Sequence, residues 1–520
     1  MMKINLFRNF ILLTVLTIFL SACSDDSEVE GQASGEESDG EDTNQEIAFA
    51  TSSDAVGLSP IDTNDSVSAY MLEQIYDTLF VHNPETMEIE PHLVESYEAL
   101  DDTTWEFKLL EDVEFHDGTP LNAEAVKYTF EELLDEERAA PRASLLEAVE
   151  SIEVEDEYTV VIHTEEPYGP LLAALSHVNA SIVSPEADES GDLMTEPVGS
   201  GPFKFESWAS GDNIVVTKNE SYFKGAPDLD KVTMHVIPEY ASAVGMLETG
   251  QVEFLPNIPS EHIPRIEDME DVELDVTPGT GINYLTFNME KEPFNDLEFR
   301  KAVSHAIDRD EYVDQLNGAG IQDNSIIGPE VFGYDEEAQE FGYDYDPEEA
   351  QRIIDENNFD ETPITLLVAN EGHFVLMSEI VQAQLMEAGF DVSIEMMEWG
   401  AFLEQAAEGN YEMAFISWAN STADGSELFY PNLHSDNIGA TNRARYDNEE
   451  FDELVEQSRT TINQEERLEL LHEINEFATN DAVWVPMHHA NVSVAYHESV
   501  ENLIISPNTS FSLYEVGIEE

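Results

Sequence analysis

One cysteine, Cys23, stands in 520 residues, so the chain has no partner thiol for an intrachain disulfide. The core must be held by burial alone. Cations are scarce: 20 Lys and Arg face 112 Asp and Glu, a net charge of −92. Nucleic acid and anionic lipid surfaces are negative themselves, so neither is an expected partner. No stretch after the first 22 residues reaches 18 continuous apolar residues, so no later segment is expected to span a bilayer as a helix. Catalytic signatures are missing as well. There is no G-x-x-x-x-G-K-[ST] and no G-x-S-x-G. His472-Glu473 and His497-Glu498 open like a zincin motif but lack the second histidine four residues on. His488-His489 is the one adjacent histidine pair, and on a strand neighbours point to opposite faces. Acidic pairs are so frequent that carboxylate spacing carries no glycosidase signal. No catalytic residue, cofactor or metal site is expected, and the chain is expected not to be an enzyme.

What is present begins at the N-terminus. Lys3 and Arg8 precede an apolar run from Phe10 to Leu20, too short to cross a membrane and of the length of a secretory h-region. Leu20-Ser21-Ala22-Cys23 resembles the lipobox of bacterial lipoproteins. The resemblance implies that residues 1–22 are a signal peptide and that Cys23 is lipidated. It places the protein on the outer face of the cell membrane, in contact with lipid through that anchor only. Residues 23–46 follow as a tether with ten acids and no Lys or Arg. Such a segment cannot bury enough apolar surface to fold, and its like charges extend it.

The body, from residue 47, is 474 residues long, enough for two or three domains. Removing the signal (+2) and the tether (−10) leaves −84 on it. The acids are spread along the whole chain, which fits an exported surface adapted to salt or high pH. "EIAFAT" reads as a strand and "SVSAYMLEQIYDTLF" as a helix. "TTWEFKLL" and "YTVVIHT" alternate as strands, and Asn122 is placed to cap a helix with Val126, Phe130 and Leu133 on one face. "PITLLVA", "FVLMSEIVQAQLMEAG" and "FDVSIEMMEW" read as strand, helix and strand, a βαβ unit with a parallel pair. "QEERLELLHEINEFAT" reads as a late helix. The class is α/β with mixed sheets and no repeat of fixed period.

Five segments in order resemble the extracellular solute-binding proteins of dipeptide, oligopeptide and nickel ABC importers. They are "WEFKLLEDVEFHDGTPLNAEAVKYTFE", "VGSGPFKFESWASGDNIVVTKNESYFKGAPDLDKV", "FNDLEFRKAVSHAIDRDEYV", "YDPEEAQRIIDENNF" and "NRARYDNEEFDELVEQS". The resemblance implies a two-lobed architecture of the type II periplasmic-binding-protein kind. Residues 47–277 would form the first lobe with an extra subdomain, 278–485 the second, and 486–520 the return to the first. Glycines and prolines in "TPGTGINYLTFN" and "VWVPMHHAN" mark the crossings. Arg300, Lys301 and Arg309 are expected in salt bridges.

The resemblance also implies a ligand enclosed between the lobes. In peptide binders of this family a segment beginning with Trp carries, three residues on, an Asp that holds the peptide amine. Here Trp418 matches and Ser421 occupies the Asp position, a departure that resembles the glutathione-binding branch. Asn420, Ser421 and Thr422 offer neutral hydrogen bonds, and Asp424 is the nearest acid for an ammonium group. Asp54 matches an acidic position near the ligand in oligopeptide binders. Arg443, with Arg445 beside it, is a candidate for a ligand carboxylate, and Asn370 and Glu371 end the first strand of the βαβ unit, where such folds bind ligands. The implied function is the peptide-binding component of an ABC importer, a monomer that delivers its ligand to permease subunits. A nickel or metal-chelate binder is the alternative, and a secreted hydrolase a more distant one.

Overall fold

The computed structural model describes residues 45–359, 362–370 and 372–519. Cys23, the signal and nearly all of the tether lie outside them, as does Glu371. Glu46, expected in the tether, is instead the first residue of the strand Glu46–Thr51. It pairs in register with Lys231 and forms an ion pair with its ammonium, which gives the segment a partner that the acidic tether lacks.

One mixed sheet runs through the molecule. From edge to edge its main path is Asp391–Met397, Pro363–Ala369, Met413–Trp418, Val272–Phe287, Trp484–His497, Phe254–Pro256, Glu46–Thr51, Lys231–Val236, Asn213–Lys218 and Phe203–Ala209. The βαβ unit is as expected: Pro363–Ala369 and Asp391–Met397 are parallel, with the helix Gly372–Glu387 between them. Gly389 follows that helix at φ 105°, a conformation that costs glycine nothing. A separate four-stranded antiparallel sheet in the N-terminal half includes Thr104–Leu109 and Thr159–Thr164. Asn122 caps the helix Ala123–Leu134 by accepting from the N–H groups of Glu124 and Ala125.

Two large apolar cores are joined by two long strands. The first core combines residues 47–254 with the C-terminal tail, from Val492 through Phe511 to Val516. The second gathers Ile282 to Met487. A smaller cluster, including Leu255 and Ile263, sits on the N-terminal side of the crossing. Val272–Phe287 and Trp484–His497 pair antiparallel along their length and carry the chain across. Their register slips between Pro278 and Ile282, where Gly279 and Gly281 lie. A Cβ on Gly279 would meet the Ala490 carbonyl oxygen at 2.8 Å, so the slip needs glycine.

The scarce cations serve the folded state in two ways. Lys301 pairs with Glu298 at 2.9 Å, as expected. Arg300 is buried; it reaches the Asp481 carboxylate at 3.5 Å, as expected, but donates mainly to the carbonyls of Phe294, Asp481 and Ala482. Arg309 donates to the carbonyls of Tyr343 and Pro486. Backbone oxygens outnumber the carboxylate around Arg300 and stand in for it at Arg309, because a buried guanidinium can satisfy several of them at once.

Candidate functional site

Two adjoining cavities lie where the lobes face each other. The larger has a volume of about 650 Å³ and is built mostly by the first lobe: the helix Ser66–Ile75, the segment 81–92 and the tail around Phe511. The second lobe contributes Ser421. The smaller, about 300 Å³, has Arg142, Tyr168 and Pro170 on one side and Trp418, Thr422, Glu427 and Tyr430 on the other. Arg142 is the one residue lining both.

Direct bonds cross between the lobes. The Gly169 N–H donates to the Arg459 carbonyl at 2.7 Å, and the Arg459 guanidinium pairs with Glu147 at 2.7 Å while lying 3.6 Å over the Tyr430 ring. His177 and Ser421 meet at 3.0 Å. Asn179 donates its N–H to His177 Nδ1, so Nε2 carries the proton and donates to Ser421 Oγ. Ser421 in turn donates to Glu427 Oε1 at 2.8 Å. Burial pulls the His177 pKa down to about 3, which keeps the ring neutral in this chain of bonds.

The segment beginning at Trp418 borders the cleft, but most of its polar groups are already satisfied. Asp424 caps the helix Gly425–Leu433 through the Ser426 N–H and forms a two-point ion pair with Arg467. The pair is buried, with Asp424 4 % and Arg467 1 % exposed. This carboxylate is therefore not open to an ammonium group. Thr422 donates its N–H and hydroxyl to Glu427. Asn420 donates its side-chain amide to the Asp424 carbonyl and its backbone carbonyl accepts from Thr280, while its Oδ1 is buried without a donor. Trp418 differs: its indole N–H is buried without an acceptor, and it lines the smaller cavity.

The remaining candidates lie elsewhere. Asp54 accepts from its neighbour Ala55, from Trp208 Nε1, from Ser210 Oγ and from the Gly211 N–H, so it clamps a hairpin turn and lines neither cavity. Arg443 lines neither cavity; its charge lies near Tyr284 and Tyr411. Arg445 pairs with Glu290 at 2.7 Å. Asn370 is exposed and donates its N–H to the Met397 carbonyl.

Sequence reasoning passed over the residues that the cavities bring together. Arg142 carries a buried Nε–H with no acceptor, and its nearest charge is Glu427 at 3.8 Å. Glu73 lines the larger cavity. At the far side Lys224 donates to His92 Nδ1 at 2.8 Å, and His92 Nε2 meets the buried Asp77 at 2.7 Å. Only the scarcity of cations could have singled out Arg142, because nothing in its own neighbourhood marks it.

The model of the bacterial extracellular solute-binding proteins, family 5, matches residues 88–440. The chain belongs to that family. Heme-binding protein A of Haemophilus influenzae is 27% identical, with 98% of each chain covered. The glutathione-binding protein GsiB of Escherichia coli is 26% identical over 91% of this chain and 95% of that one. The structure of the periplasmic binding protein DppA of Helicobacter pylori, in complex with a peptide, is 26% identical and superimposes with a TM-score of 0.76, covering 92% of this chain and all of that one. The protein is thus a two-lobed, type II solute-binding component of an ABC importer. No helix among the described residues is long and apolar enough to cross a membrane.

Proposed function

We propose that this family 5 protein captures small peptides or peptide-like solutes such as glutathione between its lobes and hands them to a membrane permease. One observation carries the reading. The Nε–H of Arg142 and the indole N–H of Trp418 are buried donors without acceptors on the wall of one 300 Å³ cavity. Leaving such groups unmet costs about 1–3 kcal/mol each, so they are suited to a ligand carboxylate and carbonyl. The cavities have the size and mixed lining of small-molecule sites. Closure turns about the paired strands Val272–Phe287 and Trp484–His497, where the register slips. Ligand contact with both lobes then shifts the population toward the closed form.

Calorimetry on the purified body tests the ligand class with glutathione, tri-alanine, a nickel–histidine chelate and heme. Peptide or glutathione binding, weakened about ten- to a hundredfold in Arg142→Gln, supports the reading, since a charge-assisted bond contributes roughly 1.5–3 kcal/mol. Binding of the chelate or heme alone overturns it.

The lipobox-like run supports a lipid anchor at Cys23. Cys23→Ser should then move the protein from the membrane to the soluble fraction, because stable attachment needs acyl chains worth about 0.8 kcal/mol per buried CH₂. Retention of that variant on membranes lacking the permease excludes the anchor.

A further inference from the structure

We infer that Glu73 receives a cationic group of the ligand, an ammonium or guanidinium, so that the protein selects zwitterionic or basic solutes. The inference rests on the peptide-like reading and extends it to the opposite end of the ligand.

The helix Ser66–Ile75 turns one face to the larger cavity, which Ser66, Ala69, Tyr70 and Glu73 line at the spacing of a single helical stripe. Glu73 accepts a hydrogen bond from the Phe511 N–H at 2.9 Å. That backbone donor is what favours its charge, and burial outweighs it, pushing the pKa up to about 8. A second carboxylate on this wall is also incompletely met. Asp65 caps the helix through Oδ1, while its Oδ2 is buried without a partner. The two acids are eight residues apart, about 12 Å along the helix.

Several of the other titratable groups around the cavity are engaged or neutral. Asp77 is held by His92, Ser200 and Tyr222, and Lys224 is bonded to His92. Burial keeps His82 and His177 below their ordinary pKa and raises Tyr70, Tyr76 and Tyr222. Glu85, Glu90 and Glu515 add negative charge to the lining, and Tyr514 donates to the Lys224 carbonyl. Arg142 is the open cation, and it stands where the two cavities join. A ligand with its carboxylate at Arg142 would therefore present its cationic group to an acidic wall, where Glu73 is the carboxylate that gains most from a counter-ion.

The signature is proton release. The free protein holds Glu73 mostly protonated at pH 6–7, and pairing with a cation requires it to ionise. Calorimetry with tri-alanine, whose amine stays charged below about pH 7.7, is run at pH 6 and 7 in two buffers of different ionisation heat. The parent should bind about tenfold tighter at pH 7 and release close to one proton. Glu73→Gln keeps an acceptor for the Phe511 N–H; it should lose the pH slope and the proton release and bind at least tenfold more weakly at pH 7.5. N-acetyl-tri-alanine should bind parent and variant alike. An unchanged slope and affinity in Glu73→Gln overturns the inference, and if Arg142→Gln still weakens tri-alanine the peptide reading stands without it. Failure of the parent to bind any of these peptides overturns both.

Discussion

On the second lobe, the loop from Trp418 to Glu427 turns its polar groups on itself: Asp424 to Arg467, Ser421 and Thr422 to Glu427, Asn420 to the Asp424 carbonyl. On the first lobe, the helix Ser66–Ile75 and the Arg142 segment leave an Asp65 oxygen and the Arg142 Nε–H unmet at the cavities. The loop is largely preassembled, with only the Trp418 indole N–H and the Asn420 Oδ1 left over, whereas the first-lobe wall leaves charged groups unmet. Ligand chemistry concentrates where groups lack partners, because a bound solute gains most from donors and acceptors that the protein has desolvated and not satisfied. The second lobe, on this comparison, is chiefly the closing face, with Trp418 its main open donor.

The largest effect expected from breaking this contrast comes at Asp424. Asp424→Asn removes the counter-charge of Arg467, which is 1 % exposed, and leaves a buried guanidinium uncompensated. Breaking such a pair costs roughly 3–5 kcal/mol. The urea midpoint should fall markedly, while the protein still folded should bind tri-alanine nearly as the parent does. A variant with the parent's midpoint and a ten- to hundredfold loss of affinity would instead make the loop the ligand's holder and invert the comparison.

That contrast also shows where sequence reading succeeds. Local rules suffice for the elements. Asn122 caps its helix through N–H groups two and three residues away, and Gly389 ends another where a positive φ is needed. Alternation and helical spacing within about 35 residues reveal the βαβ unit. The site depends on contacts that no local pattern encodes. Trp418, Ser421, Thr422 and Asp424 line the two cavities. Yet whether Asp424 is free depends on Arg467, 43 residues away. Asp54 is claimed by donors on a hairpin more than 150 residues on. Arg142 and Trp418, brought to one cavity, are 276 residues apart in the chain.

A smaller effect tests closure itself. Gly169, on the first lobe, donates its N–H to Arg459 and accepts from Gln464 on the second. A Cβ there would lie 2.4 Å from the Thr461 carbonyl oxygen and 2.8 Å from Arg467 Cδ. Both obstacles belong to the opposite lobe, so the clash arises when the lobes meet. If the lobes part when no ligand is bound, as the proposed closure requires, Gly169→Ala should leave the melting temperature of the ligand-free protein close to the parent's. It should weaken tri-alanine about tenfold and leave a larger radius of gyration in solution scattering with saturating ligand. Equal scattering curves and equal affinity would show that this contact does not limit closure.

The smallest effect sharpens the contrast from the acidic wall. Glu73 titrates near 8 in the folded protein and at its ordinary value, near 4.5, when unfolded. Between those values the folded state holds a proton that the unfolded state has released, so this site's contribution to stability is fully present below about pH 4.5 and is lost as pH rises through 8. Glutamine cannot ionise and loses nothing. The melting temperature of Glu73→Gln, measured against the parent at each pH, should therefore coincide near pH 4.5 and rise above it by on the order of 1–3 °C at pH 8, a modest shift because the melting entropy of a chain this long is large. The difference should level off beyond pH 8, and binding of a cationic ligand should erase it by giving Glu73 the counter-ion it lacks. Parallel melting curves from pH 4.5 to 9 would mean that Glu73 ionises as freely as an exposed carboxylate. The first lobe's wall would then be no less satisfied than the loop it faces.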